Sequence, residues 1–111
     1  MSDLKEKKCV PCEGNVEPFD KNKIEKFKSK VSEDWDVIDN KRIKKDYRFN
    51  DFKEGMNFAQ KVAKIAEEEQ HHPDMCVHYG SVDVQFTTHA IGGLSENDFI
   101  CAAKIDKLFA V

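Results

Sequence analysis

Apolar residues recur along this chain with two different periods. From Asp20 the spacing is helical: Ile24, Phe27 and Val31 fall at i, i+3 and i+7 behind a residue able to cap, which predicts a first helix. Trp35 to Asp39 then alternates and ends at Asp39-Asn40, a turn pair. Beyond it Ile43, Lys45, Tyr47 and Phe49 share one strand face against Arg42, Lys44, Asp46 and Arg48, so the two runs read as a hairpin. Asn50 or Asp51 caps a second helix, with Glu54 placed to complete a capping box from Asp51. Its stripe of Phe52, Met56, Ala59, Val62, Ile65 and Ala66 needs a sheet or a helix to cover it. Pro73 cannot continue a helix and pushes His72 toward extended geometry, so this helix ends near Glu69 or Gln70.

A second hairpin follows. Val77 and Tyr79 lead into Gly80-Ser81, read as a two-residue turn with glycine at its first central position. The return strand sets Val82, Val84, Phe86 and Thr88 against Asp83, Gln85, Thr87 and His89. After Gly92-Gly93, Ser95 with Asp98 three residues later opens a third helix carrying Phe99, Ala102, Ala103, Ile105 and Leu108. The order αββαββα predicts an α+β fold: a four-stranded antiparallel sheet with helices packed on one face. Residues 1–19 form an N-terminal arm and residues 20–111 a single domain.

Composition narrows the function classes. A formal charge of -3 over 111 residues argues against a dedicated nucleic-acid binder, which would carry a net basic surface. The Lys-rich stretches at Lys21 to Lys30 and Lys41 to Lys45 alternate with apolar and acidic residues and read as solvated faces. No apolar run is long enough to span a bilayer and no signal peptide is evident, so the expectation is no membrane partner and a cytoplasmic location.

Four cysteines are present, at 9, 12, 76 and 101, and a reducing compartment favours free thiols. Cys9-Val10-Pro11-Cys12 has the spacing of zinc and redox sites. A redox pair belongs between a strand and a helix, and a closed zinc site needs a second close pair, for which Cys76-Val77-His78 is the candidate. An N-terminal arm without chemistry is the preferred reading.

All four histidines, His71, His72, His78 and His89, lie in one quarter of the chain. His78 reads as structural. The other three fall at element ends, where side chains are held rigidly yet reach solvent. His71 and His72 sit past a helix C-terminus, and Glu67, one helical turn earlier, is placed to orient His71. Glu68 and Glu69 read as solvated. Imidazoles beside a carboxylate suit a general acid/base site or a metal site, and the residues alone leave both open. Trp35 is likewise open between a core residue and a platform for a planar ligand.

Glu67-x3-His71-His72-Pro73, followed after the hairpin by Thr87-Thr88-His89-x3-Gly93-Leu94-Ser95-x2-Asp98, resembles the signature of the pterin-4a-carbinolamine dehydratases. Cys9-x2-Cys12-x-Gly14 with Pro18, the hairpin bearing Trp35, and Tyr47-x-Phe49-x2-Phe52 extend the resemblance along nearly the whole chain. Where many members carry a second tryptophan after His-His-Pro, this chain has Met75.

The resemblance implies a hydro-lyase that removes water from 4a-hydroxytetrahydrobiopterin to give quinonoid dihydropterin, within tetrahydrobiopterin recycling, with no cofactor and no metal. It implies His71, His72 and His89 as catalytic residues, with His71 assisting departure of hydroxide and His72 or His89 accepting the N5 proton. It further implies a pterin site built from Glu67, His71, His72, Pro73, Thr88, His89, Ala90, Ile91 and Asp98, in a homodimer or homotetramer. The alternatives are a zinc-binding module and a protein-interaction module, since some family members double as dimerisation partners of a homeodomain transcription factor.

Overall fold

The computed structural model describes residues 4–10 and 17–109. Three helices, α1 (Lys21–Lys28), α2 (Phe52–Glu69) and α3 (Glu96–Phe109), accompany four strands, β1 (Asp36–Ile38), β2 (Arg42–Arg48), β3 (Asp74–His78) and β4 (Ser81–Phe86). Two single 3-10 turns, Leu4–Glu6 and His89–Ile91, complete the described elements. The strands form one antiparallel sheet in the order β1-β2-β4-β3. α2 therefore carries the chain from a central strand to the far edge, and β4 returns between.

The capping expectations have physical counterparts. Asp20 accepts from the Lys23 N–H and Asp51 from the Glu54 N–H. Glu54 reaches back to the Asn50 N–H, one residue earlier than a strict capping box requires. The first hairpin turns through Asp39 and Asn40, whose φ values of 55° and 57° are left-handed at both positions, as a type I′ turn demands. The second turn differs from expectation. His78 pairs with Ser81, so Tyr79 and Gly80 form the loop, with glycine second rather than first. Val77 opposite Val82 sets this register, and the Gly80 carbonyl accepts from the Phe49 N–H, tying the turn to the end of β2.

Ile43, Tyr47, Val82, Val84 and Phe86 project from the sheet to meet Phe58 and Val62 of α2 and Phe99, Ala102 and Ile105 of α3. The buried face of α2 is Gly55, Phe58, Ala59, Val62, Ala66 and Glu69. Phe52, expected on that face, is half exposed at the helix start, and Phe58, absent from the expected stripe, packs on Tyr47 instead. Trp35 is fully buried against Tyr47 and Phe86, which makes it core and not a ligand platform. Its indole N–H, the Tyr47 hydroxyl, the Lys45 ammonium and the Ser32 N–H all donate to Asp106 near the end of α3.

The loop between β4 and α3 is held by a Thr88–Gly93 bridge. Gly92 takes a left-handed φ of 69° there. A Cβ on Gly93 would lie 2.7 Å from the Pro18 Cβ, so this close approach needs glycine. That packing fixes the loop on which the last histidine sits.

Candidate active site

α2 ends because Gln70 turns left-handed, at φ 54° and ψ 40°, and the N–H groups of Gln70 and His71 both donate to the Ala66 carbonyl. The reversal throws His71 and His72 off the helix in different directions. His71 turns inward. Its Nε2–H donates to Asp98 Oδ1 at 2.6 Å, its ring stacks over Phe86 at 5.8 Å, and its side chain is 12% exposed. His72 turns outward and donates from Nε2 to Glu67 Oε2 at 2.6 Å, with both groups exposed.

Glu67 thus holds His72, where the sequence suggested His71. The left-handed residue between them means that i+4 no longer lies above i.

Asp98 is fully buried in the first turn of α3. Its second oxygen accepts from the Thr88 hydroxyl at 2.8 Å and the Ser95 N–H at 2.9 Å. The single Thr88 proton is committed to Asp98, so the Ser95 hydroxyl, 2.8 Å away, donates to Thr88 Oγ1. With both carboxylate oxygens occupied, the proton on His71 Nε2 is fixed, and Nδ1 is the nitrogen left for exchange. Nδ1 takes no protein partner among the described residues.

A cavity of about 460 Å³ opens beside this arrangement. One wall is the end of α2, from Glu68 through His72, and the facing wall runs from Thr87 to Ala90. His71, His72 and His89 therefore border one space, although His72 and His89 lie 17 positions apart in sequence. His89 stands on the short turn after β4, exposed and without a side-chain hydrogen bond among the described residues. Thr88 and Ala90 also line the space. Glu67 and Asp98 stand behind the imidazoles they bond, and Pro73 and Ile91 are not among the lining residues. His78 lies elsewhere, paired with Asp83 at 3.2 Å.

Sequence reasoning missed a third wall, made by Cys9, Val10 and Asn97. The arm is fastened here: Glu69 accepts the Cys9 N–H at 2.8 Å, and the Asn97 side chain bonds both polar groups of the Val10 backbone. Glu69 is consequently buried, not solvated. Burial pushes its carboxyl upward, but the Cys9 N–H, Lys104 and Lys8 more than offset this and hold it below its ordinary value. The Cys9 and Cys101 sulfurs are 3.7 Å apart, and hydrogen bonding to Cys9 together with burial pushes the Cys101 thiol up, so it stays protonated. Cys12, the other half of the CxxC motif, lies outside the described residues. Among the described residues no group of three His, Cys, Asp or Glu side chains is arranged to hold a metal ion. None of their helices is long and apolar enough to cross a membrane.

A sequence profile described as pterin 4 alpha carbinolamine dehydratase matches residues 17–108. Proteins whose names carry the term pterin-4-alpha-carbinolamine dehydratase are similar over nearly full length. One from Nitrosomonas eutropha is 48% identical, covering 97% of this chain and 95% of its own. One from Rickettsia bellii is 47% identical, with coverages of 95% and 93%. One from Rubrobacter xylanophilus is 41% identical, with coverages of 97% and 100%. Among solved structures, a transcriptional coactivator/pterin dehydratase from Brucella melitensis superimposes with a TM-score of 0.77 at 26% identity, covering 82% of this chain and 97% of that one.

Proposed function

The chain belongs to the pterin 4 alpha carbinolamine dehydratase family and is an enzyme of the hydro-lyase class; from that premise we propose that it dehydrates 4a-hydroxytetrahydropterin by histidine acid/base catalysis, as a step in tetrahydrobiopterin recycling. Elimination breaks the C4a–O bond, with a proton delivered to the oxygen so that it leaves as water. It also breaks the N5–H bond, whose electron pair forms the C4a=N5 double bond of the quinonoid dihydropterin. The reaction needs one proton donor and one acceptor on the same bicyclic ring, and no redox partner.

The observation that supports this assignment best is the meeting of three imidazoles on one cavity, one of them backed by a buried carboxylate. A volume of about 460 Å³ lies within the usual range for small-molecule sites, roughly 300 to 1,000 Å³. His71 acts as the acid: Asp98 keeps Nε2–H, so the transferable proton of the imidazolium is the one on Nδ1. His89 accepts the N5 proton, its ring nitrogens being uncommitted among the described residues. His72, held through Nε2 by Glu67, orients the ring. Solvent then takes the proton from the exposed His89 and returns one to His71 Nδ1, which resets the pair.

The experiment follows the decay of the carbinolamine, generated in situ by an aromatic amino-acid hydroxylase, by ultraviolet absorbance with and without the protein. The expected result is accelerated decay with the intact protein and at least a tenfold weaker acceleration with His89→Ala. Decay at the spontaneous rate with intact protein would rule the activity out.

A further inference from the structure

The arm over residues 4–10 has no part in the chemistry above, yet it supplies one wall of the cavity. It is anchored along its length. Leu4 is buried, Lys104 donates to the Lys5 carbonyl at 2.8 Å, and Glu69 accepts the Cys9 N–H. At Val10 the Asn97 side chain works as a neighbouring strand would, its Oδ1 accepting the Val10 N–H at 3.1 Å and its Nδ2 donating to the Val10 carbonyl at 2.6 Å.

These anchors come from the elements that present His71 and hold its carboxylate partner. Glu69 immediately precedes the turn that presents His71 and His72, and Asn97 is the residue before Asp98. The position of Val10 is therefore set by the same two segments that position His71. With both backbone polar groups engaged by Asn97, Val10 presents apolar surface to the cavity, and it is 65% exposed. Its β-branched side chain is stiff at χ1, so this contact surface is shaped before any ligand enters. Glu68, Gln70 and Thr87, elsewhere in the lining, are polar. A bicyclic ring with polar edges and an apolar face would use both kinds of wall.

We propose that Val10 is a substrate-contacting residue that sets the affinity for reduced pterins, and that Asn97 is the positioning residue that holds it against the cavity. The proposal rests on the dehydratase reading and extends the pterin site to the arm.

Steady-state dehydration kinetics of Val10→Ala, Val10→Asp, Asn97→Ala and Asn97→Asp test it, with thermal melting as a folding control. Val10→Asp is expected to raise KM about tenfold, and Val10→Ala by a smaller factor, with kcat changed less than threefold. Neither should shift Tm, since the side chain is exposed. Asn97→Ala should raise KM as Val10→Asp does, and Asn97→Asp, which keeps the acceptor for the Val10 N–H but sets a carboxylate oxygen against the Val10 carbonyl, should raise it as well. KM within twofold of the unmodified value in both Val10 variants, or a loss confined to kcat, overturns the contact role. KM within twofold of the unmodified value in both Asn97 variants overturns the positioning role. An unmodified protein that does not accelerate dehydration removes the dehydratase reading and this proposal together, whereas an active one with unchanged KM in Val10→Asp removes this proposal alone.

Discussion

Asp98 and Asp106 lie about two turns apart on α3, and both are carboxylates surrounded by donors. At Asp106 the donors are an indole N–H, a phenol, an ammonium and a backbone N–H. Burial first, and Asp106 second, push the Tyr47 hydroxyl far above its ordinary value, so that proton does not move. At Asp98 two of the three donors are equally fixed, but the third is an imidazole bordering a cavity. A buried carboxylate is a structural hub when all its donors hold their protons. It becomes part of a site when one donor is a ring whose far nitrogen can exchange a proton.

The largest effect that could break this contrast is on turnover. His71→Ala is expected to lower kcat/KM about a thousandfold, the scale of a positioned acid or base, and because it also takes a donor from the buried Asp98, the rate is measured on protein shown to be folded by circular dichroism. Asp98→Asn is the sharper variant. Its side-chain oxygen can still accept from Ser95 and Thr88, but its amide would face His71 Nε2 as a donor and force the other tautomer. A drop of about a hundredfold in kcat/KM with a near-native Tm is expected. Full activity in Asp98→Asn would show that the carboxylate only packs, and the contrast with Asp106 would collapse.

Next comes stability. Asp106→Ala leaves the Trp35, Tyr47 and Lys45 donors without their acceptor, and removing one member of such a cluster costs about 3 kcal/mol. Urea unfolding should show that loss, and kcat/KM measured well below the new midpoint should stay within a few-fold of the unmodified protein. Inactivity in a variant still folded by circular dichroism would mean that the two ends of α3 are functionally coupled.

What the sequence made legible follows the same division. The 3.6 and 2.0 periods report which residues of a regular element are buried, so the three helices, the four strands and the caps at Asp20 and Asp51 could be read in advance. Three imidazoles near element ends were visible as a cluster for the same reason. Hydrogen bonds between groups distant in sequence leave no period. Asp98 announced itself as a helix-start carboxylate three residues after Ser95, but nothing in the spacing showed that its other oxygen would meet His71, 27 residues earlier. The exchange of partners at Glu67 was hidden because a single left-handed residue, Gln70, breaks the helical geometry on which the i+4 argument depends. The arm is aperiodic, so its anchors at Glu69 and Asn97 were invisible, and Glu69 passed for a solvated charge.

Glu69 offers the smallest and most specific test, because it lies between the two aspartates in kind. It is buried and, like Asp106, holds structure together, and like Asp98, which stands behind His71, it belongs to the candidate site, where it lines the cavity itself. Its carboxyl is held below the ordinary 4.5, the upward push of burial being more than offset by the Cys9 N–H, Lys104 and Lys8. A folded-state value below the unfolded one means that the ionised group contributes stability fully above about pH 4.5, and that this contribution fades as pH falls through the folded value. Glu69→Gln removes the charge at every pH. The difference in urea midpoint between the unmodified protein and Glu69→Gln should therefore be largest at neutral pH and shrink toward pH 3 as the native carboxylate protonates. A difference independent of pH would mean that the arm is held by its neutral contacts at Asn97 and Leu4, leaving Glu69 a hydrogen-bond acceptor whose charge is incidental.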